Sequence, residues 1–279
     1  MNQFVDDLNT AVKFVGNVPR VTFAPGLHPS SYKWLARKHC QNMKHKRGGG
    51  VHEPATIAAF LAIQNRFNCH TIFDLGALFG YFSLMCLDMF PDSEVTAFDM
   101  HGPAFGELMK NVPPHVKCVR AVVSDVSEKN VKIWISGFNI FLEPEKGWDY
   151  LCDVPGAQKY RGDGGAGYDR VDFLTLDDHC ATSKDPDLIK IDVEAYQTKA
   201  LLGAKELIKR ARPIIVIELH DPPKVKRMGT TNQETVQLLF DEGYEGYWCG
   251  NHRSSEATFE KFDHISADQD KLSLAVFIP

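Results

Sequence analysis

The sequence predicts an α/β fold, a mainly parallel sheet with helices on both faces. Three observations carry this. From residue 70 short apolar runs alternate with helical patterns, the rhythm of strand–helix–strand units. The runs are rich in Val, Ile and Phe with little polar alternation, as in strands buried on both faces. The stretch Thr71–Leu84, TIFDLGALFGYFSL, opens like a buried strand, turns on Gly76 and Gly80, and continues as a helix.

The elements follow in order. Phe4, Val5, Leu8, Val12 and Val15 recur at helical spacing, and Ser31 can cap a second helix, SYKWLARKHCQNM. Residues 1–50 therefore read as an N-terminal helical extension, closed by the glycine triplet 48–50. A helix with proline at its start spans Pro54–Phe67. The alternating units are TIFDL with FGYFSLMCLDMF, EVTAFD with GPAFGELMKNV, the runs VKCVRAVV, VKIWIS and RVDFLTL, then DLIKIDV with AYQTKALLGAKELIKR, and PIIVIEL with TNQETVQLLFDEG. YEGYWC and LSLAVFI close the chain; the last run follows a strand without a helix and can insert antiparallel. Residues 136–170 break the rhythm with glycines, prolines and aromatics (Phe138, Phe141, Trp148, Tyr150, Tyr160). They read as an insertion on the substrate side, or as a flexible excursion.

Bulk composition narrows the function. With 279 residues, 44% apolar and 24% charged, the chain fits one α/β domain with additions. No apolar run reaches the ~18–20 residues of a membrane helix, and Asp6 and Asp7 stand where a secretory leader would be basic. A cytoplasmic location is expected. The net charge of −5 opposes a general nucleic-acid binder; the basic run Lys44–Arg47 beside the glycines reads as a solvated linker. Seven scattered cysteines include no C-x-x-C pair, so neither a zinc knuckle nor a disulfide framework is expected.

The first turn points to a nucleotide. A dinucleotide fold would place glycine where Asp74 stands, and no G-K-[ST] phosphate loop is present. An acid here repels phosphate and suits a ligand with an ammonium group, such as S-adenosylmethionine. Gly76 permits the tight turn and Gly80 a close approach of the helix. Asp99, with Met100 beside it, ends the second strand where an acid accepts from ribose hydroxyls; alone it also reads as a cap or surface acid. Ser124 and Asp125 are placed near the purine edge, although Ser-Asp is also ordinary turn chemistry.

Taken together, D-x-G-A-x-x-G-Y at 74–81, Asp99, TLDD at 175–178 and the block 187–220, DLIKIDVEAYQTKALLGAKELIKRARPIIVIELH, resemble the FkbM-type S-adenosylmethionine-dependent methyltransferases. The resemblance covers roughly residues 50–279, and the methyltransferase domain is taken as 51–279. It adds Ala77 and Tyr81 to the cofactor loop, and HEPATIAAF makes Glu53 a contact to the methionine end. It implies a Rossmann-like class I methyltransferase with a seven-stranded sheet of order 3-2-1-4-5-7-6 and strand 7 antiparallel. It also implies O-methylation of a small molecule such as a sugar or polyketide. The sequence departs from the family at Ala195, where glycine is usual, at Gln197, where glutamate is usual, and at Leu78, where asparagine is frequent.

For the chemistry, Lys190 and Asp192 share one strand face, and Glu218 and His220 another, at the ends of neighbouring strands. His220 is the expected general base, its ordinary pKa of about 6.5 suiting proton uptake. Asp192 would position acceptor, base or cofactor, and Lys190 would polarise the acceptor or pair with a carboxylate. Each alone also reads as an ion pair at a strand end. Asp192, Glu194, Glu218 and His220 resemble a Mg²⁺ ligand set, but no metal is the favoured reading. Two other functions stay open: a methyltransferase-fold binding module with little catalysis, and a nucleic-acid methyltransferase.

Overall fold

The computed structural model describes residues 3–17, 52–136, 139–141, 158–159, 166–254 and 256–279. The expected helix at 31–43, the basic run 44–47 and the bulk of 136–170, with Phe138, Trp148, Tyr150 and Tyr160, lie outside the described residues.

The main sheet is built from β1 (Thr71–Leu75), β2 (Glu94–Phe98), β3 (Lys117–Val119), β9 (Leu188–Ile191), β10 (Ile214–Leu219), β11 (Glu245–Cys249), β12 (Glu260–Phe262) and β13 (Ser273–Ile278). Its order is β12-β11-β13-β10-β9-β1-β2-β3. Apart from β12, that is the 3-2-1-4-5-7-6 order of a class I methyltransferase. β1 pairs in parallel with β2 and β9, β9 with β10, and β13 is antiparallel to both β10 and β11. The closing strand thus inserts as the lack of a preceding helix suggests. β12 adds an eighth strand at the edge.

Helices cover both faces. α1 (Gln3–Asn17), α2 (Pro54–Gln64), α3 (Tyr81–Met89) and α4 (Gly102–Asn111) contribute to one apolar layer. α5 (Leu176–Cys180), α6 (Gln197–Leu202), α7 (Lys205–Ala211) and α9 (Asn232–Phe240) build the other; α8 (Pro222–Arg227) follows β10. The run expected as one helix, AYQTKALLGAKELIKR, breaks at Gly203 into α6 and α7. A side chain at Gly203 would lie 1.8 Å from the backbone oxygen of Ser124.

One correction concerns the middle of the chain. VKCVRAVV is two strands, β3 and β4 (Ala121–Val123), parted at Arg120. β4 leaves the main sheet and pairs with β8 (Ala166–Leu174) in a second sheet of order β4-β8-β5-β6, with β5 (Glu128–Ser136), β6 (Asn139–Phe141) and, on β8, β7 (Gln158–Lys159). The third strand of the main sheet therefore ends at Val119, not at Asp125. Arg120 marks the switch and forms an ion pair with Asp169. β5 and β8 pair as long antiparallel strands.

Candidate active site

A cavity opens at the carboxyl ends of β1, β2 and β9, roofed by β4. It is lined by Gly76 and Leu78, by Asp99, Met100 and His101, by Val122 and Val123, and by Asp192, Glu194 and Tyr196. This is where ligands bind in an open α/β sheet. The backbone is shaped for it. Gly76 has φ +80°, and a Cβ there would lie 1.8 Å from the Asp192 carbonyl oxygen. Leu78, Glu194 and Ala195 also adopt left-handed φ values of 50°, 54° and 78°, as does Glu53 at 49°. Such strain collects at functional sites. Ala195 holds the conformation for which the family uses glycine.

Asp99 is the cavity's buried acid. Its Oδ2 accepts from the Leu78 amide and its Oδ1 from the His101 amide, each at 2.7 Å. Burial pushes its pKa up to about 6 against the pull of those two amides. Each oxygen keeps a lone pair for a ribose hydroxyl, and Val122, Val123 and Met100 supply an apolar wall. These residues fit the nucleoside half of S-adenosylmethionine.

Several expected contacts lie elsewhere. Asp74 does not line the cavity. It is fully buried, accepts from Ser83 Oγ at 2.6 Å and faces Lys190 Nζ at 3.5 Å, so its charge is committed within the protein. Ala77, Gly80 and Tyr81 shape the turn and the start of α3 rather than the cavity wall; Gly80 caps that helix at φ +87°. Ser124 and Asp125 lie beyond β4, where Ser124 donates to Asp125 and Lys199 pairs with Asp125 at 2.9 Å.

Beside the cavity lies an acid–imidazole cluster. Glu53, left-handed at the start of α2, faces His52 Nε2 at 3.4 Å and accepts from Thr56. Lys190 Nζ pairs with Asp192 Oδ2 at 3.4 Å; burial opposes its charge, but Asp192 and Asp74 push its pKa up. Desolvation works against the charge of half-buried Asp192, yet Lys190 and His220 hold it well below the usual carboxylate range. His220 Nε2 faces Glu218 Oε2 at 3.3 Å, Glu194 Oε2 at 3.5 Å and Asp192 Oδ1 at 4.0 Å. Burial works against its protonation, yet the bond with Glu194 and the charges of Glu218 and Asp192 raise its pKa. Glu218 is pushed up by burial and by Asp192 and Glu53. The four expected catalytic groups thus sit together.

Two members are absent from the sequence reading. His252 Nε2 and Arg253 Nη2 each lie 2.8 Å from Glu218 Oε1. They sit on the loop after β11, which crosses to α2, where the Ala55 amide donates to the His252 carbonyl at 3.2 Å. The signal in the sequence is a His-Arg pair just past a strand end; placing it needs the sheet order. His101 and Tyr196 of the cavity were likewise unmarked.

Two trios of potential metal donors share Glu218: Asp192, Glu218, His220 and Glu53, Glu218, His252. They suit a metal poorly. Glu218 Oε1 is already occupied by Arg253 and His252, Lys190 holds Asp192, and His220 Nδ1 has no hydrogen-bond partner among the described residues. A metal-ligating imidazole ordinarily donates that second nitrogen.

The sheet order and the cavity define the class: the fold is that of a Rossmann-like class I methyltransferase. Residues 129–245 match the family model described as methyltransferase FkbM domain, so the FkbM-type resemblance is borne out over that segment. No curated protein matches the chain. Among solved structures, methyltransferase FkbM from Methylobacillus flagellatus KT is 13% identical, with a TM-score of 0.45 over 89% of this chain and 58% of its own. The chain thus spans under two thirds of that protein. An O-methyltransferase from Bacillus cereus in complex with SAH is 10% identical, with a TM-score of 0.45 over 99% and 100%. A TehB-like SAM-dependent methyltransferase from Corynebacterium glutamicum is 14% identical, with a TM-score of 0.43 over 90% and 99%. Among the described residues no helix is long and apolar enough to cross a membrane.

Proposed function

We propose that the protein is an S-adenosylmethionine-dependent methyltransferase acting on a hydroxyl of a small molecule. The carrying observation is one continuous site, in which the Asp99 cavity meets the acid–imidazole cluster at Asp192. S-adenosylmethionine supplies, when bound, a methyl carbon already activated by a sulfonium. Asp99 holds the ribose, and Val122, Val123 and Met100 flank the purine. Glu53 and the acidic surroundings of Asp192 suit the cationic methionine end. His220 takes the acceptor proton, and Asp192, Glu194 and Glu218 stabilise the imidazolium that results.

The departures from the family pattern leave this chemistry intact. Ala195 keeps the backbone turn of a glycine. Gln197 is fully buried at the start of α6, facing Asn232 at 3.4 Å, and does not line the cavity. A binding-module reading therefore gains nothing from either residue.

Calorimetry with S-adenosylhomocysteine tests the proposal without an acceptor. Binding in the micromolar range is expected. Folded protein that binds nothing at millimolar ligand would overturn it.

A further inference from the structure

The loop that follows β11 brings a buried histidine and a half-exposed arginine onto one oxygen of a buried glutamate, whose other oxygen faces the expected base. We propose that His252 and Arg253 are positioning residues for proton transfer: they fix Glu218 Oε1, which turns Oε2 onto His220 Nε2 and holds that ring at the rim. The inference rests on the methyltransferase reading for its chemistry, but its geometry stands alone.

β11 is parallel to β10 because β13 runs antiparallel to both, so the carboxyl ends of β10 and β11 open on the same rim. His252 is 2% exposed and Glu218 4%, so their 2.8 Å contact is shielded from water. Arg253 reaches the same Oε1 at 2.8 Å and lies 3.7 Å from Glu53 Oε1. With Oε1 doubly held, the carboxylate plane is set, and Oε2 lies 3.3 Å from His220 Nε2.

Charge makes the arrangement necessary. Glu218 is faced by the carboxylates of Asp192 and Glu53, by His220 and His252, and by Arg253, with Lys190 close behind. His220 is faced by Asp192, Glu194 and Glu218, and Glu194 is in turn paired with Lys224. A buried carboxylate beside two others takes up a proton unless a cation holds it ionised. Arg253 pulls that way, together with His220, against the burial and the two carboxylates that push the Glu218 pKa up. Once protonated, Glu218 no longer attracts a proton to His220, and the base loses both its orientation and part of its affinity. In the step itself an acceptor oxygen electron pair forms the new O–C bond as the sulfonium's S–C bond breaks, the S–C pair staying on sulfur in the departing S-adenosylhomocysteine, while the acceptor O–H bond breaks and its proton passes to the imidazole.

Long-range ¹H–¹⁵N NMR titration of the full chain with ¹⁵N-labelled histidine reads this without any acceptor. In the wild type the His220 midpoint should lie above the ordinary ~6.5. Arg253→Gln should lower it by about one pH unit, Arg253→Lys should restore most of the difference, and His252→Leu should lower it while His252→Gln, which keeps an N–H donor, stays close to wild type. A folded Arg253→Gln protein whose His220 midpoint is unmoved or higher overturns the proposal. Arg253 is half exposed, so this variant decides the question if His252→Leu does not fold. S-adenosylhomocysteine calorimetry on the same samples separates the two readings. A midpoint that drops in protein that never binds the ligand overturns the methyltransferase reading alone; an unmoved midpoint in protein that binds it overturns the positioning role alone.

Discussion

At the carboxyl end of β2, Asp99 combines burial with a pKa raised to about 6. A carboxyl whose folded pKa lies above its unfolded one binds an extra proton when folded, so its contribution to stability declines as pH rises from about 4 to about 6. Ligand binding runs the other way. The ionised carboxylate is the better acceptor for two ribose hydroxyls, so S-adenosylhomocysteine affinity should weaken as pH falls through 6. Asp99→Asn should lose about 10–100-fold in affinity at pH 7.5, as expected for charged hydrogen bonds of ~1.5–3 kcal/mol, and should show little pH dependence between 5 and 7. Calorimetry at three pH values checks both. Asp99, Asp192 and His220 were legible in the sequence because each ends an apolar run, where a polar residue must face the rim. Asp74 was legible as a special position but not in its role, since its partners Ser83 and Lys190 come from α3 and β9. His252 and Arg253 were not legible, because nothing local says that the end of β11 comes back to α2.

Among the elements, the turn after β9 carries the clearest cost. Glu194 and Ala195 are consecutive left-handed residues, each disfavoured by roughly 1 kcal/mol outside glycine. The turn puts Asp192 and Glu194 on the cavity wall while Ala195, fully buried, anchors it. Ala195→Gly relieves strain of about 1 kcal/mol but frees the unfolded chain by about 0.4–1 kcal/mol, so the melting temperature should barely move. Ala195→Val adds a β-branched side chain at φ 78° in a filled site and should lower stability by more than about 2 kcal/mol. A valine variant as stable as wild type, measured by chemical denaturation, would show that the turn relaxes freely. The family's preference for glycine was visible as a departure in the sequence; only the backbone angle explains it.

On the scale of the whole molecule, the strand–helix rhythm was legible because strands buried on both faces read as unbroken apolar runs. The second sheet was not, since β5 and β8 look like further members of the same series, and only the break at Arg120 diverts the chain. The N-terminal helix is a sharper case. Its apolar stripe was read correctly, yet nothing in the stripe says what it covers. Leu8 and Val12 are buried in the same layer as α2 and β1, Phe4 stacks edge-on to Tyr247 of β11 at 5.1 Å, and Asp7 pairs with Arg66 just past α2. Asn9 completes the junction: its Nδ2 donates to the Phe259 carbonyl at 3.0 Å and its Oδ1 accepts from the Phe259 amide at 2.7 Å. Asn9→Ala would strand both backbone groups against a part-buried wall and should cost about 2 kcal/mol, several degrees in a thermal melt. None of these junction residues lines the cavity, so S-adenosylhomocysteine affinity should stay within about twofold of wild type. If affinity instead falls tenfold while the fold persists, α1 is setting the position of α2, and with it Glu53, the residue proposed for the methionine end.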